Sequence, residues 1–293
     1  MNKTTAIIGS NGYFGKNLSF LLHKRKIKNF DFDIHPKSNY KWMNYSQIDI
    51  TKKNSFDNLN EEIDVIFFLA AVTGTTSDHK KCYNVNVLGL INLLEHIKDF
   101  KNKPSIVFPS TRLIYKGKQN KLLSEIDCIE IKSIYALTKL IGEETLKLYN
   151  KLYDINYDVL RICVPHSNMV DDNYSYGTIS FFLDKAKNKL PINIFGDGSL
   201  KRTFTHIEDI CKIFILISEK KFLSNSIYNI GGHTYSIVEA AKKIAFKYNS
   251  EIKFVKWTKK SLKMESGDTI FDSSKLDSYI DFENYKDLYF KKV

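Results

Sequence analysis

Gly9-Ser10-Asn11-Gly12-Tyr13-Phe14-Gly15, set directly after the apolar run Thr5-Ala6-Ile7-Ile8, is the stretch on which the fold turns. The run predicts a buried strand from Thr5 to Ile8, and the glycines predict a tight turn into a helix. Such a turn lets the backbone approach a pyrophosphate, while the first amides of the helix offer N–H donors to its negative charge. Outward from this point, short apolar runs alternate with helical-period segments as far as about residue 165. Strands are predicted at Asn29 to Asp33, in the region before Asp49, and at Val65 to Leu69, Ser105 to Pro109 and Asp158 to Ile162. The alternation is that of β-α-β units, which predicts the α/β class with a doubly wound parallel sheet. Later segments are less regular. Helical Ile179 to Ala186, turn-rich Phe195 to Ser199, helical Ile207 to Ser218 and helical Ser236 to Lys247 predict a smaller, partly discontinuous domain. The expected division is 1–165 and 166–293, with some later segments returning to the first part.

Composition narrows the function classes. The 293 residues are 43% hydrophobic, enough for a sizeable core. The longest apolar stretch, Val65 to Val72, is far too short to span a bilayer, and Met1-Asn2-Lys3-Thr4-Thr5 leads straight into a strand. A cytoplasmic protein without membrane insertion is expected. Cys82, Cys128, Cys163 and Cys211 are scattered without a C-x-x-C pair, so they read as reduced core thiols. The net charge of +11 comes from lysines spread over every surface segment, without a basic tract or aromatic-interleaved stripe. Nucleic acid is therefore not the expected partner, whereas an anionic small substrate suits a mildly basic body.

Tyr135-Ala136-Leu137-Thr138-Lys139 carries the chemistry. Tyr135 and Lys139, four apart, fall on one helix face. There an ammonium lowers the phenol pKa, so that a tyrosinate can take a hydroxyl proton while a nicotinamide takes the hydride. Paired with the glycine loop, this motif resembles the extended short-chain dehydrogenase/reductases, and among them the NAD-dependent epimerase/dehydratase family acting on nucleotide sugars. Further features of that family recur in order: Asp49-Ile50, Leu69-Ala70-Ala71, Asn86-Val87-x-Gly89-x-x-Asn92, Ser110-Thr111 and Tyr115, Leu160-Arg161, Gly196-Asp197-Gly198, Arg202, Glu208-Asp209 and Tyr228-Asn229-Ile230-Gly231-Gly232.

The resemblance implies a Rossmann-type domain with NAD as cofactor. Gly9, Asn11, Gly12, Tyr13, Phe14 and Gly15 would bind it together with Asp49, Ile50, Leu69, Ala70, Ala71, Asn86 and Ser110. At the end of the second strand a carboxylate can accept hydrogen bonds from ribose hydroxyls and repel a 2′-phosphate. Asp33 aligns best with that task and Asp31 is the alternative. Thr111 matches the family's catalytic Ser/Thr, though a capping hydroxyl is the plainer reading. Tyr135 would be the acid or base, and Lys139 would hold the nicotinamide ribose. Thr73, Thr111, Arg112, Tyr135 and Arg202 would meet the substrate, with Arg202 clamping a phosphate unless it is a solvated surface arginine. His166 and His206 lack metal-ligand spacing and read as locally hydrogen-bonded; no metal is expected. The helix predicted from about Val85 to Phe100 and the long one from Ser133 to Tyr153 have surplus apolar positions, Leu94 among them. The resemblance implies that these helices pair with their copies in a homodimer.

Three departures bear on the reaction. Arg112-Leu113 follow Thr111 where the family's 4,6-dehydratases carry Asp-Glu, which disfavours elimination. Leu160-Arg161-Ile162-Cys163-Val164-Pro165-His166-Ser167 lacks the asparagine that binds the diphosphate in similar epimerases. Glu265-Ser266-Gly267-Asp268 stands where many relatives have a second phosphate-binding arginine. The expectation is NAD-dependent oxidation and reduction at C4 of a nucleoside-diphosphate sugar, as an epimerase in surface-polysaccharide precursor synthesis. A net 4-dehydrogenase or 4-keto-sugar reductase, and a non-catalytic dinucleotide sensor on the same fold, stay open.

Overall fold

The computed structural model describes residues 3–38, 40–73, 78–171, 177–220, 224–282 and 284–288. In chain order its elements are β1 (Thr5–Ile8), α1 (Tyr13–Lys24), β2 (Asn29–Asp33), β3 (Tyr45–Gln47), β4 (Val65–Phe68), α2 (His79–Tyr83), α3 (Gly89–Ile97), β5 (Ser105–Thr111), β6 (Leu122–Leu123) and α4 (Ile134–Tyr153). There follow β7 (Tyr157–Ile162), β8 (Val164–His166), α5 (Gly177–Lys187), β9 (Ile192–Phe195), β10 (Lys201–His206), α6 (Ile207–Glu219), β11 (Ser226–Asn229), β12 (His233–Ser236), α7 (Ile237–Tyr248), β13 (Ile252–Val255), α8 (Lys259–Met264), β14 (Ile270–Phe271) and α9 (Ser274–Asp277).

Two compact units emerge. The first comprises 1–111, 133–161 and 211–228; the second comprises 112–132, 162–210 and 229–293. Segment 112–132 thus groups with the later part of the chain, and 211–228 returns to the first.

The first unit carries a seven-stranded sheet in the order β3-β2-β1-β4-β5-β7-β11. β1 pairs in parallel with both β2 and β4, β2 with β3, and β4 with β5. All four residues of β4, Val65-Ile66-Phe67-Phe68, are buried, as expected of a strand covered on both faces. On one face Ile8, Phe32, Ile66 and Phe68 pack with Leu90, Leu93, Leu94 and Ile97 of α3 and Leu146 of α4. On the other, Phe67 stacks on Phe214 of α6 with ring centroids 6.0 Å apart. The strand order reverses between β1 and β4, so the crevice of an open α/β sheet opens at the carboxyl ends of these two strands.

One helix departs from its sequence reading. In place of a continuous helix from Val85, α2 leads through a π-helical turn, Asn84–Leu88, into α3. Most of its surplus apolar side chains are absorbed by the core: Leu90, Leu93, Leu94 and Ile97 are all 0% exposed, whereas Leu88 is 49% exposed. Leu94 is therefore a core residue and not an outward one.

The second unit holds a three-stranded sheet, β12-β10-β8, and two-stranded pairs β13-β9 and β14-β6. β10 runs antiparallel to β12 and parallel to β8. α7 begins with a capping box in which Ser236 and Glu239 exchange side-chain and backbone hydrogen bonds. Cys82, Cys163 and Cys211 are buried free thiols, but Cys128 is exposed, against the expectation of a core position. Among the described residues no helix is long and apolar enough to cross a membrane.

Candidate active site

The glycine loop is built by close approach. Gly9 has φ +96°, and a Cβ there would lie 2.6 Å from the amide nitrogen of Ala70, in the loop after β4. A Cβ on Gly15 would fall 2.1 Å from the carbonyl oxygen of Gly9, so α1 can sit on the loop only without a side chain at that point. Gly12 is the N-cap of α1 and no side chain caps the helix start, with Tyr13, Phe14 and Gly15 forming its first turn. Ser10 Oγ and Asn11 Oδ1 are buried with no hydrogen-bond partner among the described residues. The Ser10 hydroxyl, a donor beside a helix N-terminus on a loop stripped of side-chain bulk, fits a polar anionic ligand such as a dinucleotide pyrophosphate, whereas Asn11 Oδ1, an acceptor, suits a ligand hydroxyl.

Asp31 and Asp33 share a face of β2 but not a role. Asp31 is 2% exposed, and burial pushes its carboxyl up to about 6 against hydrogen bonds from Ser19 and Asn29. Asp33 lies at the strand's carboxyl end, where Oδ2 accepts the Asn11 backbone N–H at 3.0 Å and Oδ1 lies 2.6 Å from Nδ1 of His35. Of the two, Asp33 touches the glycine loop.

Other expected cofactor residues are engaged by protein groups. Asp49 Oδ1 accepts from the Thr51 N–H at 3.1 Å and the Thr51 hydroxyl at 2.7 Å, closing its own turn. Ile50 is buried, and its carbonyl accepts from Asn92 Nδ2 at 2.9 Å. Asn86 clamps Val72 from both sides: its Oδ1 accepts the Val72 N–H at 2.7 Å and its Nδ2 donates to the Val72 carbonyl at 2.9 Å. The same Nδ2 lies 3.0 Å from Thr138 Oγ1, and that hydroxyl donates to the Tyr135 carbonyl at 2.8 Å. Asn86 thereby ties the loop carrying Leu69, Ala70, Ala71 and Thr73 to the first turn of α4. Thr73 itself is exposed.

α4 starts cleanly because the Ser133 hydroxyl accepts the Ala136 N–H at 3.2 Å. Tyr135 is half-buried in the first turn, and Lys139, one turn on, is 3% exposed. Lys139 Nζ lies 4.1 Å from the centroid of the Phe108 ring on β5. Burial draws its ammonium down to about 7, opposed by Glu143 and Cys82. Thr111, 7% exposed, closes β5.

Two residues that make this possible escape a motif reading. Gly142 allows α4 to lie on β5, since a Cβ there would be 2.6 Å from Phe108 Cζ. Glu143, 0% exposed, pairs with Arg161, 2% exposed, through Nε to Oε1 at 3.1 Å and Nη2 to Oε2 at 2.6 Å. The Ser110 hydroxyl, expected to line the cofactor, donates to Glu143 Oε1 at 2.5 Å. The available signal was the period: Tyr135, Lys139 and Glu143 are each four apart, and a third chemically active residue on that face was open to notice.

In the second unit Arg202 is buried, not a solvated surface residue. Its Nη2 donates to Glu265 Oε1 and Oε2 at 2.8 and 2.9 Å, and its Nη1 to the Gly267 carbonyl and Thr269 Oγ1, both at 3.3 Å. The Glu265-to-Gly267 segment thus occupies the Arg202 guanidinium. Arg112 is half-buried and donates to Ser266 Oγ at 3.1 Å. His206 Nδ1 accepts the Glu208 N–H at 3.1 Å, as expected of local bonding. His166, ring to ring with it at 5.3 Å, binds Ser167 through Nδ1, its Nε2 is buried without a hydrogen-bond partner among the described residues, and burial holds it down at about 3, so it is a neutral core imidazole.

Residues 5–231 match the model of the NAD dependent epimerase/dehydratase family. A protein of Methanocaldococcus jannaschii named "Putative UDP-glucose 4-epimerase" is 35% identical over 204 residues, covering 68% of this chain and 64% of its own. An "Uncharacterized UDP-glucose epimerase" of Bacillus subtilis is 32% identical over 178 residues, covering 59% of this chain and 55% of its own. The matched region thus spans somewhat under two thirds of these curated relatives. In fold, the chain is similar to a UDP-glucuronic acid 4-epimerase from Bacillus cereus solved with UDP-glucuronic acid and NAD: TM-score 0.82, 22% identity, 97% of this chain and 95% of that one.

Proposed function

The chain belongs to the NAD dependent epimerase/dehydratase family, and on that premise we propose that it is an NAD-using epimerase acting at C4 of a nucleoside-diphosphate sugar. The observation that carries this reading is the placement of Tyr135 and Lys139 on one face of α4, seated on β5 where Phe108 meets Lys139 and where Thr111 ends the strand. The glycine loop would hold the pyrophosphate, Asp33 the adenosine ribose, and Lys139 the nicotinamide ribose. When bound, NAD supplies reversible acceptance of a hydride. Thr111 hydrogen-bonds the reacting C4 oxygen, and Tyr135 removes its proton as the alcohol becomes a ketone, then returns it to the opposite configuration. Lys139 in its ammonium form stabilises the phenolate. Glu143, Arg161, Asn86 and Gly142 act through others, fixing where α4 lies. Arg202 is the basic residue for the substrate's diphosphate, and Arg112 is a second basic residue facing the substrate.

The relatives named as UDP-glucose epimerases support this choice within the family. The reading extends to a homodimer through α4 and the π-helical turn leading into α3, where Leu148 and Leu152 are 51% and 57% exposed and Leu88 is 49% exposed, and to a cytoplasmic role in surface-polysaccharide precursor synthesis.

The test is to incubate NAD-loaded protein with UDP-, dTDP-, GDP- and CDP-hexoses, follow NADH absorbance, and read the C4 configuration by NMR. Inversion without net NADH is the expected result. Stoichiometric NADH, or turnover of a 4-keto sugar alone, would replace the epimerase by a dehydrogenase or reductase. Bound NAD with no turnover of any nucleotide sugar would favour the non-catalytic sensor.

A further inference from the structure

Charge is unevenly balanced around Glu265. Two guanidinium groups, those of Arg112 and Arg202, act on its single carboxylate. Geometry assigns that carboxylate to Arg202, which takes both oxygens within 2.9 Å. Arg112 receives only the neutral Ser266 hydroxyl among the described residues. Lys132, a further nearby cation, has its own carboxylate in Glu130 at 3.0 Å and donates to the Glu265 carbonyl at 2.9 Å. Two guanidinium groups that share one carboxylate, whose oxygens are both hydrogen-bonded to Arg202, carry one positive charge more than the counter-charge beside them, and buried ions require that charge to be balanced. Burial, and next the Arg202 charge, draw Arg112 down to about 10. A ligand that brings an anion would restore the balance.

The place of Arg112 in the chain says which part of the ligand that is. Thr111 ends β5 and Arg112 opens the next turn, one peptide bond away. An anion held by the residue adjoining the hydroxyl that engages C4 belongs to the sugar ring. The diphosphate is the other candidate anion, and Arg202, some 90 residues on in the chain, is the basic residue that the family resemblance offers for it.

We infer that Arg112 is a specificity residue that receives a carboxylate on the pyranose, and that the substrates are nucleotide-linked uronic acids in preference to neutral hexoses. The inference rests on the nucleotide-sugar reading above and deepens it. A planar guanidinium suits the task because it meets a carboxylate through two parallel N–H donors, which an ammonium does not reproduce.

The experiment is calorimetric titration of NAD-loaded protein with two matched pairs, UDP-glucose with UDP-glucuronate and GDP-mannose with GDP-mannuronate, and with free UDP and GDP. The native protein is expected to bind the uronate of at least one pair about tenfold or more tightly than its neutral partner. In Arg112→Leu that ratio should collapse toward one, with the loss falling mainly on the uronate, and Arg112→Lys should recover part of it. Unchanged NAD affinity in both variants certifies that they fold. A native ratio near one overturns the inference, as does an Arg112→Leu protein that loses free nucleotide and both sugars by the same factor, since Arg112 would then serve the diphosphate. Failure of every nucleotide and nucleotide sugar to bind the NAD-loaded protein is a different result: it removes the nucleotide-sugar reading itself, and this inference with it.

Discussion

At the scale of single residues, the proposed mechanism divides the work between Tyr135 and Lys139. Removing the phenolic oxygen in Tyr135→Phe should leave NAD binding nearly intact and lower turnover by about two to four orders of magnitude, the usual worth of a positioned acid or base. Unchanged turnover on a confirmed substrate would dismiss Tyr135 as the proton carrier. Lys139 has a folded pKa lowered to about 7, so between there and the ordinary lysine value of 10.5 the unfolded chain binds a proton that the folded chain has released. Stability should therefore rise with pH across that window, and the cost of the buried charge should be fully present below it. In nucleotide-free protein, the unfolding free energy of the native chain relative to Lys139→Met should climb between about pH 7 and 10 at up to about 1.4 kcal/mol per pH unit. A flat difference would show that the ammonium is hydrated. Beneath both residues, Glu143→Gln would remove the carboxylate charge that the buried Arg161 guanidinium pairs with, a change expected to cost about 3–5 kcal/mol in urea titration. Adding Arg161→Met should recover much of the loss, because the uncompensated charge is then gone.

Elements meet where a side chain is missing. α4 approaches β5 at Gly142, and Phe108 on the facing strand is 1% exposed and stacked against Phe68 at 6.3 Å. Gly142→Ala would gain about 1 kcal/mol of helix propensity. It would also place a methyl group 2.6 Å from a ring with no room to retreat. Overpacking should outweigh propensity, for a net loss of about 1–3 kcal/mol. Phe108→Leu in the same chain should relieve the clash, and thermal unfolding of the three variants decides the order. If Gly142→Ala alone proved more stable than the native chain, the close approach of α4 would not be needed. The π-helical turn before α3 obeys a similar logic, since it accompanies an Asn86 whose amide is taken up by Val72 and Thr138.

For the whole molecule, the proposed homodimer is tested at the exposed apolar positions of α4. On α4, Leu148 and Leu152 are one turn apart and more than half exposed, whereas Leu94 on α3 has no exposure to lose. Leu148→Glu combined with Leu152→Glu should shift a dimer to monomers in sedimentation equilibrium, because each carboxylate would be desolvated in an apolar seam. A monomeric native chain at micromolar concentration would dispose of the seam. The elements that set the fold were legible residue by residue. Thr5–Ile8 and Asn29–Asp33 are strands at the expected bounds, and Tyr135 and Lys139 stand on the expected helix. Periodicity, glycine placement and four-residue spacing are local properties, so one sequence is enough to read them. What only the tertiary structure decided is partnership across the chain: Leu94 in the core, the Asp33 carboxylate on the Asn11 amide, Glu143 on Arg161 and Ser110, Glu265 on Arg202. Each of these depends on which groups the fold brings within hydrogen-bond or van der Waals distance, and a buried charge takes its role from the partner that compensates it, which local sequence does not specify.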